Sequence, residues 1–163
     1  VPGGTPHAID RGILLIEAQE PTDQSILLER VGTTASDDEV FLGLDRELAL
    51  SSVTPEALVD VDGLRARATP DPDGLASVLP AAADPYFRMH LLAAGPAVHP
   101  GFAVVLVLAG TGHLVEQDGT GHALAKGQAW VVPAASGSWS VEGEVRVLVC
   151  RPGTSWPPSV GGG

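Results

Sequence analysis

The sequence has 163 residues, of which 44% are hydrophobic and 4% aromatic, and its formal net charge is −11. This length and this apolar content exclude a wholly disordered chain, and the acidic balance argues against nucleic acid as a partner because it repels phosphate backbones. The single cysteine, Cys150, favours a reducing, cytoplasmic location, and the longest apolar run, the eight residues 102–109, is too short to cross a membrane.

Two short apolar runs open the chain. Gly12–Glu17 and Ser25–Glu29 are rich in Ile and Leu and predict two buried strands. The spacing of Leu and Ala over 42–53 predicts a short helix, and Thr54, followed by Pro55, predicts the start of another.

The second half of the sequence predicts strands. Apolar, often alternating runs at 87–92, 102–108, 129–132 and 144–150 are separated by Gly-rich segments, of which Gly110–Gly112 and Gln117–Gly121 are interpreted as turns. Short strands at this spacing indicate a mainly β protein, either a sandwich or a barrel.

One pattern occurs twice. Val1-Pro2-Gly3-Gly4-Thr5-Pro6-His7 aligns without a gap on Val132-Pro133-Ala134-Ala135-Ser136-Gly137-Ser138, and an apolar run follows each copy, Ile13–Ile16 in one and Val145–Val149 in the other. We therefore expect two related structural units, the first of which would begin upstream of Val1.

The first copy carries a specific resemblance. Pro2-Gly3-Gly4-Thr5-Pro6-His7 has the form Pro-x-Gly-x-x-His, which resembles the second motif of the cupins. The longer run Val1–Ile9, with Gly12–Glu17 and the pair Thr22-Asp23, resembles class I mannose-6-phosphate isomerase (phosphomannose isomerase). The similarity is densest over about the first thirty residues and looser over 86–152, where it points to the family's C-terminal cupin.

The resemblance implies cupin (RmlC-like jelly-roll) barrels, namely a partial metal-binding cupin followed by a complete metal-free cupin. Its missing partner would be the N-terminal half of the same protein. The expected divisions are a C-terminal part of the catalytic barrel, a helical or loop connector, a C-terminal cupin and a flexible tail, at 1–40, 41–83, 84–152 and 153–163.

His7 is the expected metal ligand. Neutral imidazole suits zinc, and the two preceding glycines allow a sharp turn. The resemblance implies one Zn²⁺ per full-length protein, held also by a Gln-x-His pair and a Glu from preceding sequence, so the ligand set in this chain is incomplete. Ser138 stands in the place of His7 in the second copy, and the C-terminal cupin is expected to bind no metal. The other four histidines are dispersed and are interpreted as exposed or packing residues: His90, His99, His113 and His122.

Three further residues are candidates for the site. Glu17 ends an apolar run, where a carboxylate is costly unless it faces a polar cavity, and it is the expected catalytic acid or base. Gln19, two residues on, is expected on the same strand face as a substrate-binding residue. The family carries an arginine at the place of Leu27, and Arg30, three positions later, is the remaining candidate cation for substrate binding.

The resemblance implies reversible isomerisation of mannose 6-phosphate and fructose 6-phosphate, with a sugar phosphate as the substrate and with no activity in this chain alone. Leu27 in place of the arginine leaves a non-catalytic cupin that binds a sugar or regulates as the alternative. Another cupin enzyme, such as an epimerase or dioxygenase, is a third hypothesis, but it would require an H-x-H and a Glu within one barrel.

Overall fold

The computed structural model describes residues 3–19, 25–57, 60, 62–63 and 75–155. The chain divides into two compact units, Val1–Val59 and Asp60–Gly163. Each unit has its own cluster of buried apolar residues.

The first unit contains two short helices, α1 (Asp37–Val40) and α2 (Arg46–Ser51). The Ser36 hydroxyl caps α1 by accepting from the Glu39 backbone N–H, and the Glu39 side chain accepts in return from the Ser36 backbone, which completes a capping box. The Asp45 side chain caps α2. The apolar cluster of this unit is small and consists of Val40, Phe41 and Ala49, with Ile26 and Ala35 packed against them.

The strands predicted at Gly12–Glu17 and Ser25–Glu29 are not formed in the structure. A strand needs a neighbour for its backbone hydrogen bonds, and neither segment pairs with another strand in the described residues. The apolar side chains of the first segment are exposed, with Leu14 at 91% and Ile13 at 60%. The apolar runs alone therefore did not predict whether these segments pair with another strand.

The predicted helix over 42–53 is confirmed in part as α2, which begins only at Arg46 because Asp45 supplies the cap. The helix predicted to start at Thr54 is not formed over the described residues 54–57, and the rest of it lies outside the described residues. The Thr54 backbone N–H instead donates to the Gly4 carbonyl at 2.8 Å.

The second unit is an antiparallel sheet of five strands: β1 (Phe87–Leu92), β2 (Ala103–Glu116), β3 (Gly121–Ala125), β4 (Ala129–Val132) and β5 (Trp139–Pro152). The order is β1-β5-β2-β3, and β4 pairs with β2 as well. On the edge of β2 away from β5, β4 therefore pairs along the first part of the strand and β3 along the second. Strands predicted near 87–92, 102–108, 129–132 and 144–150 are thus confirmed, and the protein is mainly β.

The core lies on one face of this sheet. Alternate residues of β5 from Trp139 to Val149 are buried, except the exposed Gly143, and their cross-strand partners on β2 include the buried Val105 and Leu114. This alternation follows from the two-residue period of a strand, which places one face against the core and the other towards solvent. The main cluster also includes Leu92 of β1.

Gly110–Gly112, which the sequence analysis interpreted as a turn, lies inside β2, and that prediction is wrong. The register between β2 and β5 shifts between Val107 and Ala109, which marks a β-bulge next to Gly110. A Cβ at Gly110 would lie 1.8 Å from the Glu144 carbonyl oxygen, so glycine is needed here for close approach of two strands. The predicted turn at Gln117–Gly121 is confirmed between β2 and β3.

Candidate functional site

His7 is exposed and follows the turn at Gly3–Gly4, and a backbone carbonyl orients its ring. The Nδ1 atom is 3.0 Å from the carbonyl oxygen of Thr5. A carbonyl oxygen only accepts hydrogen bonds, so this contact requires Nδ1 to carry the proton. In the neutral imidazole, Nε2 then keeps its lone pair for a ligand.

The turn that precedes His7 is fixed by Gly4. This residue has φ +76, and a Cβ there would lie 2.6 Å from the Ser52 carbonyl oxygen and 2.8 Å from the Thr54 hydroxyl oxygen. Glycine is therefore required for both backbone conformation and space. The hydrogen bond from the Thr54 N–H to the Gly4 carbonyl further ties the turn to the segment after α2.

The second copy of the repeat has a different backbone. In that copy Ala134–Ser136 forms a single 3₁₀ turn, and the residue with positive φ is Gly137, at +73. The residue aligned with Gly137 is Pro6, whose ring holds φ near about −65°. The two turns therefore differ in conformation although their sequences align.

Glu17 and Gln19 are exposed, as is Arg30. No hydrogen bond or ion pair joins these three residues to His7 or to one another within the described part of the chain. The expected site residues therefore all lie in the first unit, but the structure does not bring them into direct contact.

Arg30 is held by two neighbours from the region of α1. Its Nη1 atom lies 2.5 Å from the Asp37 carboxylate, and its guanidinium lies over the Phe41 ring, 5.2 Å from the centroid. Arg30 is thus anchored by an ion pair and a cation–π contact, neither of which the sequence analysis predicted.

No group of three or more His, Cys, Asp or Glu that is able to hold a metal is present among the described residues. The described residues therefore do not complete a metal site around His7. Over the same residues, no helix has both the length and the hydropathy needed to cross a membrane.

A polar cluster at the edge of the core of the second unit was missed by the sequence analysis. His122 of β3 pairs across the sheet with the core residue Leu114, and Glu116, two residues further along β2, projects from the same face. The His122 Nε2 atom is 2.8 Å from the Glu116 carboxylate, and the His122 and Trp130 ring centroids are 5.7 Å apart. Cross-strand register, which becomes known only when strands are paired, is the signal that brings these side chains together.

The interior of the second unit also contains polar side chains. His90 of β1 is fully buried opposite Val149, and Arg151 is 7% exposed. Arg88 donates to the Pro152 carbonyl at 3.1 Å, and Arg151 donates to the His99 carbonyl at 3.4 Å. The sequence analysis expected His90 to be exposed or to pack, and the structure buries it.

No protein-family profile matches the sequence, and no characterised protein matches it significantly. Solved structures similar to part of the chain include an RmlC-like cupin protein from Desulfovibrio desulfuricans, at 19% identity and a TM-score of 0.35 over 42% of this chain and 73% of that one. A cupin-2 domain protein from Shewanella frigidimarina has 17% identity and a TM-score of 0.33 over 40% of this chain and 68% of that one. A salicylate 1,2-dioxygenase from Pseudaminobacter salicylatoxidans has 29% identity and a TM-score of 0.33 over 42% and 21%. Similarities at this level assign neither a family nor an activity.

Proposed function

We propose that the chain is part of a zinc-dependent cupin enzyme. This enzyme would interconvert the aldose mannose 6-phosphate and the ketose fructose 6-phosphate. In this proposal the chain contributes His7 to the metal site and Glu17 to proton transfer. The remaining ligands would come from sequence outside this chain, and the chain alone would be inactive.

The observation that carries the proposal is the geometry of His7. Histidines that bind metals characteristically donate their second ring N–H to a carboxylate or backbone carbonyl, which fixes the tautomer and the ring orientation. The contact of 3.0 Å between Nδ1 and the Thr5 carbonyl has this form. Together with the Pro-x-Gly-x-x-His motif, it supports His7 as a zinc ligand through Nε2.

The exposed apolar residues that follow His7 support a site completed by other strands. Among the described residues between 9 and 28, seven large aliphatic side chains are more than one-third exposed: Ile9, Ile13, Leu14, Leu15, Ile16, Leu27 and Leu28. Soluble proteins rarely expose so many apolar side chains in one short stretch unless another surface covers them. Further strands of the same barrel, from the N-terminal half of the protein, are the proposed covering surface.

Glu17 would provide the proton transfer. Aldose–ketose isomerisation moves a proton between C1 and C2 of the sugar through an enediolate, and a carboxylate can take the proton from one carbon and return it to the other. When bound, zinc supplies an electrophile that stabilises the oxyanion formed on the way. Gln19 would hydrogen-bond the substrate beside Glu17 and hold its hydroxyl groups in place.

The test is an isomerase assay on the intact, zinc-loaded gene product with mannose 6-phosphate. The proposal expects turnover in the wild type, with kcat at least about 10²-fold lower in Glu17→Gln, because general acid–base catalysis typically contributes this much. Glu29→Gln, which removes a carboxylate from the same exposed region, is the matched control and is expected to keep full activity. An intact, zinc-loaded protein that binds mannose 6-phosphate without converting it would refute the catalytic proposal.

A non-catalytic sugar-binding module is the second candidate, and the cluster of Glu116, His122 and Trp130 favours it. Sugars present hydroxyl groups and an apolar ring face, which fit a carboxylate, an imidazole and a neighbouring indole. Saturable binding of free mannose that Glu116→Gln abolishes, in an intact protein without isomerase activity, would select this candidate. Binding that is insensitive to Glu116→Gln would eliminate it.

A further inference from the structure

Two arginines of the first unit line one small cavity. The cavity has a volume of about 190 Å³ and is lined by Arg30, Arg46 and Asp37 together with apolar side chains, namely Leu27, Leu28, Phe41 and Leu50. The whole chain has nine Lys and Arg residues against twenty Asp and Glu. Two guanidinium groups at one cavity therefore form a local cationic site in an acidic protein.

The two arginines differ in how they are satisfied. Arg30 is positioned by its ion pair with Asp37 and by the Phe41 ring beneath it. The Arg46 side chain makes no hydrogen bond or ion pair within the described part of the chain. Its five N–H donors therefore have no protein acceptor among those residues, and an anion in the cavity would provide one.

We propose that this cavity binds the phosphoryl group of a small molecule, with Arg46 and Arg30 as its cationic ligands. Planar guanidinium groups match phosphate oxygens in pairs of parallel hydrogen bonds. The cavity is smaller than the roughly 300–1,000 Å³ of pockets that enclose a whole small ligand, so it would take the phosphoryl group and leave the rest of the ligand outside.

A phosphoryl group fits better than a carboxylate because of Asp37. Arg30 already has a carboxylate partner in Asp37, so a second monovalent carboxylate would replace an interaction of the same kind. A phosphate dianion brings a larger charge and a third terminal oxygen, which allows it to contact Arg46 and Arg30 together. The negative charge of Asp37 would at the same time weaken the binding of any anion.

Only the identity of the bound molecule, a sugar phosphate, rests on the proposed function. The phosphoryl site itself can be tested without zinc and without turnover. Arg46 and Arg30 would replace the cation that the family places at Leu27. Neither residue is assigned a part in proton transfer.

The test is calorimetric titration of the 163-residue chain with inorganic phosphate at constant ionic strength, with acetate as the carboxylate probe. Arg46→Gln is expected to weaken phosphate binding about tenfold or more, since a charge-assisted bidentate contact is lost. Asp37→Asn is expected to strengthen it by about threefold, since an opposing charge is removed. Arg11→Gln removes the same charge from an exposed position outside the cavity and is the control, with unchanged affinity expected.

Three outcomes would overturn the proposal: no saturable phosphate binding, equal weakening by Arg46→Gln and Arg11→Gln, or acetate that binds as tightly as phosphate. Amide NMR spectra that overlay away from the substituted residue would establish that the variants are folded. Phosphate binding that depends on Arg46, in a protein whose intact form does not isomerise mannose 6-phosphate, would uphold this site and refute the proposed reaction. Isomerisation that is unaffected by Arg46→Gln would uphold the proposed reaction and refute this cavity as the phosphoryl site.

Discussion

Replacement of Gly110 by alanine tests the central contact of the second unit, the pairing of β2 with β5. Gly110 has φ +77, and its Cβ would lie 1.8 Å from the carbonyl oxygen of Glu144 on the neighbouring strand. That oxygen belongs to the backbone and has no rotamer to change. The two strands must therefore separate next to the bulge that bends them.

The expected cost has two parts. An alanine in the left-handed region costs about 1–2 kcal/mol, and the loss of one or two backbone hydrogen bonds costs about 1 kcal/mol each. We expect Gly110→Ala to destabilise the protein by about 3 kcal/mol in total. Gly119 has a similar φ of +87 but nothing within 4 Å of the added Cβ, so Gly119→Ala isolates the conformational part at about 1–2 kcal/mol.

Thermal unfolding, followed by tryptophan fluorescence, measures both variants. A free-energy difference of about 1–2 kcal/mol corresponds to a gap of about 4–16 °C between the two Tm values for a unit of this size. Equal Tm values for Gly110→Ala and Gly119→Ala would show that β2 and β5 do not approach closely at this point. The assigned strand register around the bulge would then be wrong.

Three further predictions concern single side chains. Trp139 is 2% exposed, and its indole N–H has no hydrogen-bond partner among the described residues. In urea titrations, Trp139→Phe is therefore expected to change the free energy of unfolding by less than about 1 kcal/mol, whereas Trp139→Ala is expected to lower it by about 3 kcal/mol or more. Burial raises the pKa of the Cys150 thiol above its ordinary value, so at pH 8 a disulfide reagent is expected to react more slowly with the folded than with the urea-unfolded chain. Equal rates would contradict the burial of this thiol. Hydrogen bonds from the Ser36 backbone N–H and hydroxyl lower the pKa of Glu39 below its ordinary value. The contribution of this carboxylate to α1 is therefore complete above its ordinary pKa and is lost as the pH falls through the lowered pKa. Carboxyl NMR titration is expected to show a higher pKa for Glu39 in Ser36→Ala, and an unchanged pKa would refute the cap.

The strands of the second unit were predictable because their alternation of apolar and polar residues matches the period of a half-buried sheet. The length of β2 was not predictable, since the glycines at 110 and 112 indicate a turn by local preference. Glycine is required at these two positions because strand β5 lies close by. An added Cβ would lie 1.8 Å from the Glu144 carbonyl oxygen at position 110 and 2.1 Å from the Glu142 carbonyl oxygen at position 112. Contacts between residues so distant in sequence leave no local pattern.

In the first unit the apolar runs predicted strands that the structure does not form. A run such as Ile13–Ile16 indicates only that its side chains favour burial, whereas a strand also requires a neighbour with free backbone groups. The motif at Pro2–His7 identified a candidate ligand, because the glycine that the turn needs, Gly4 with φ +76, is visible in the local sequence. The cavity between Arg30 and Arg46 was not predictable, because it depends on how α1 and α2 pack.

The claim that His7 is a zinc ligand of a site completed outside this chain is tested most directly by zinc analysis after exhaustive dialysis. We predict one zinc ion per molecule in the intact gene product, a loss of this zinc in His7→Ala, and full retention in the control His113→Ala, which alters an exposed histidine of the second unit. The 163-residue chain alone is predicted to retain no stoichiometric zinc. Zinc that remains at one ion per molecule in His7→Ala, or that the isolated chain retains, would show that His7 is not a ligand of such a divided site.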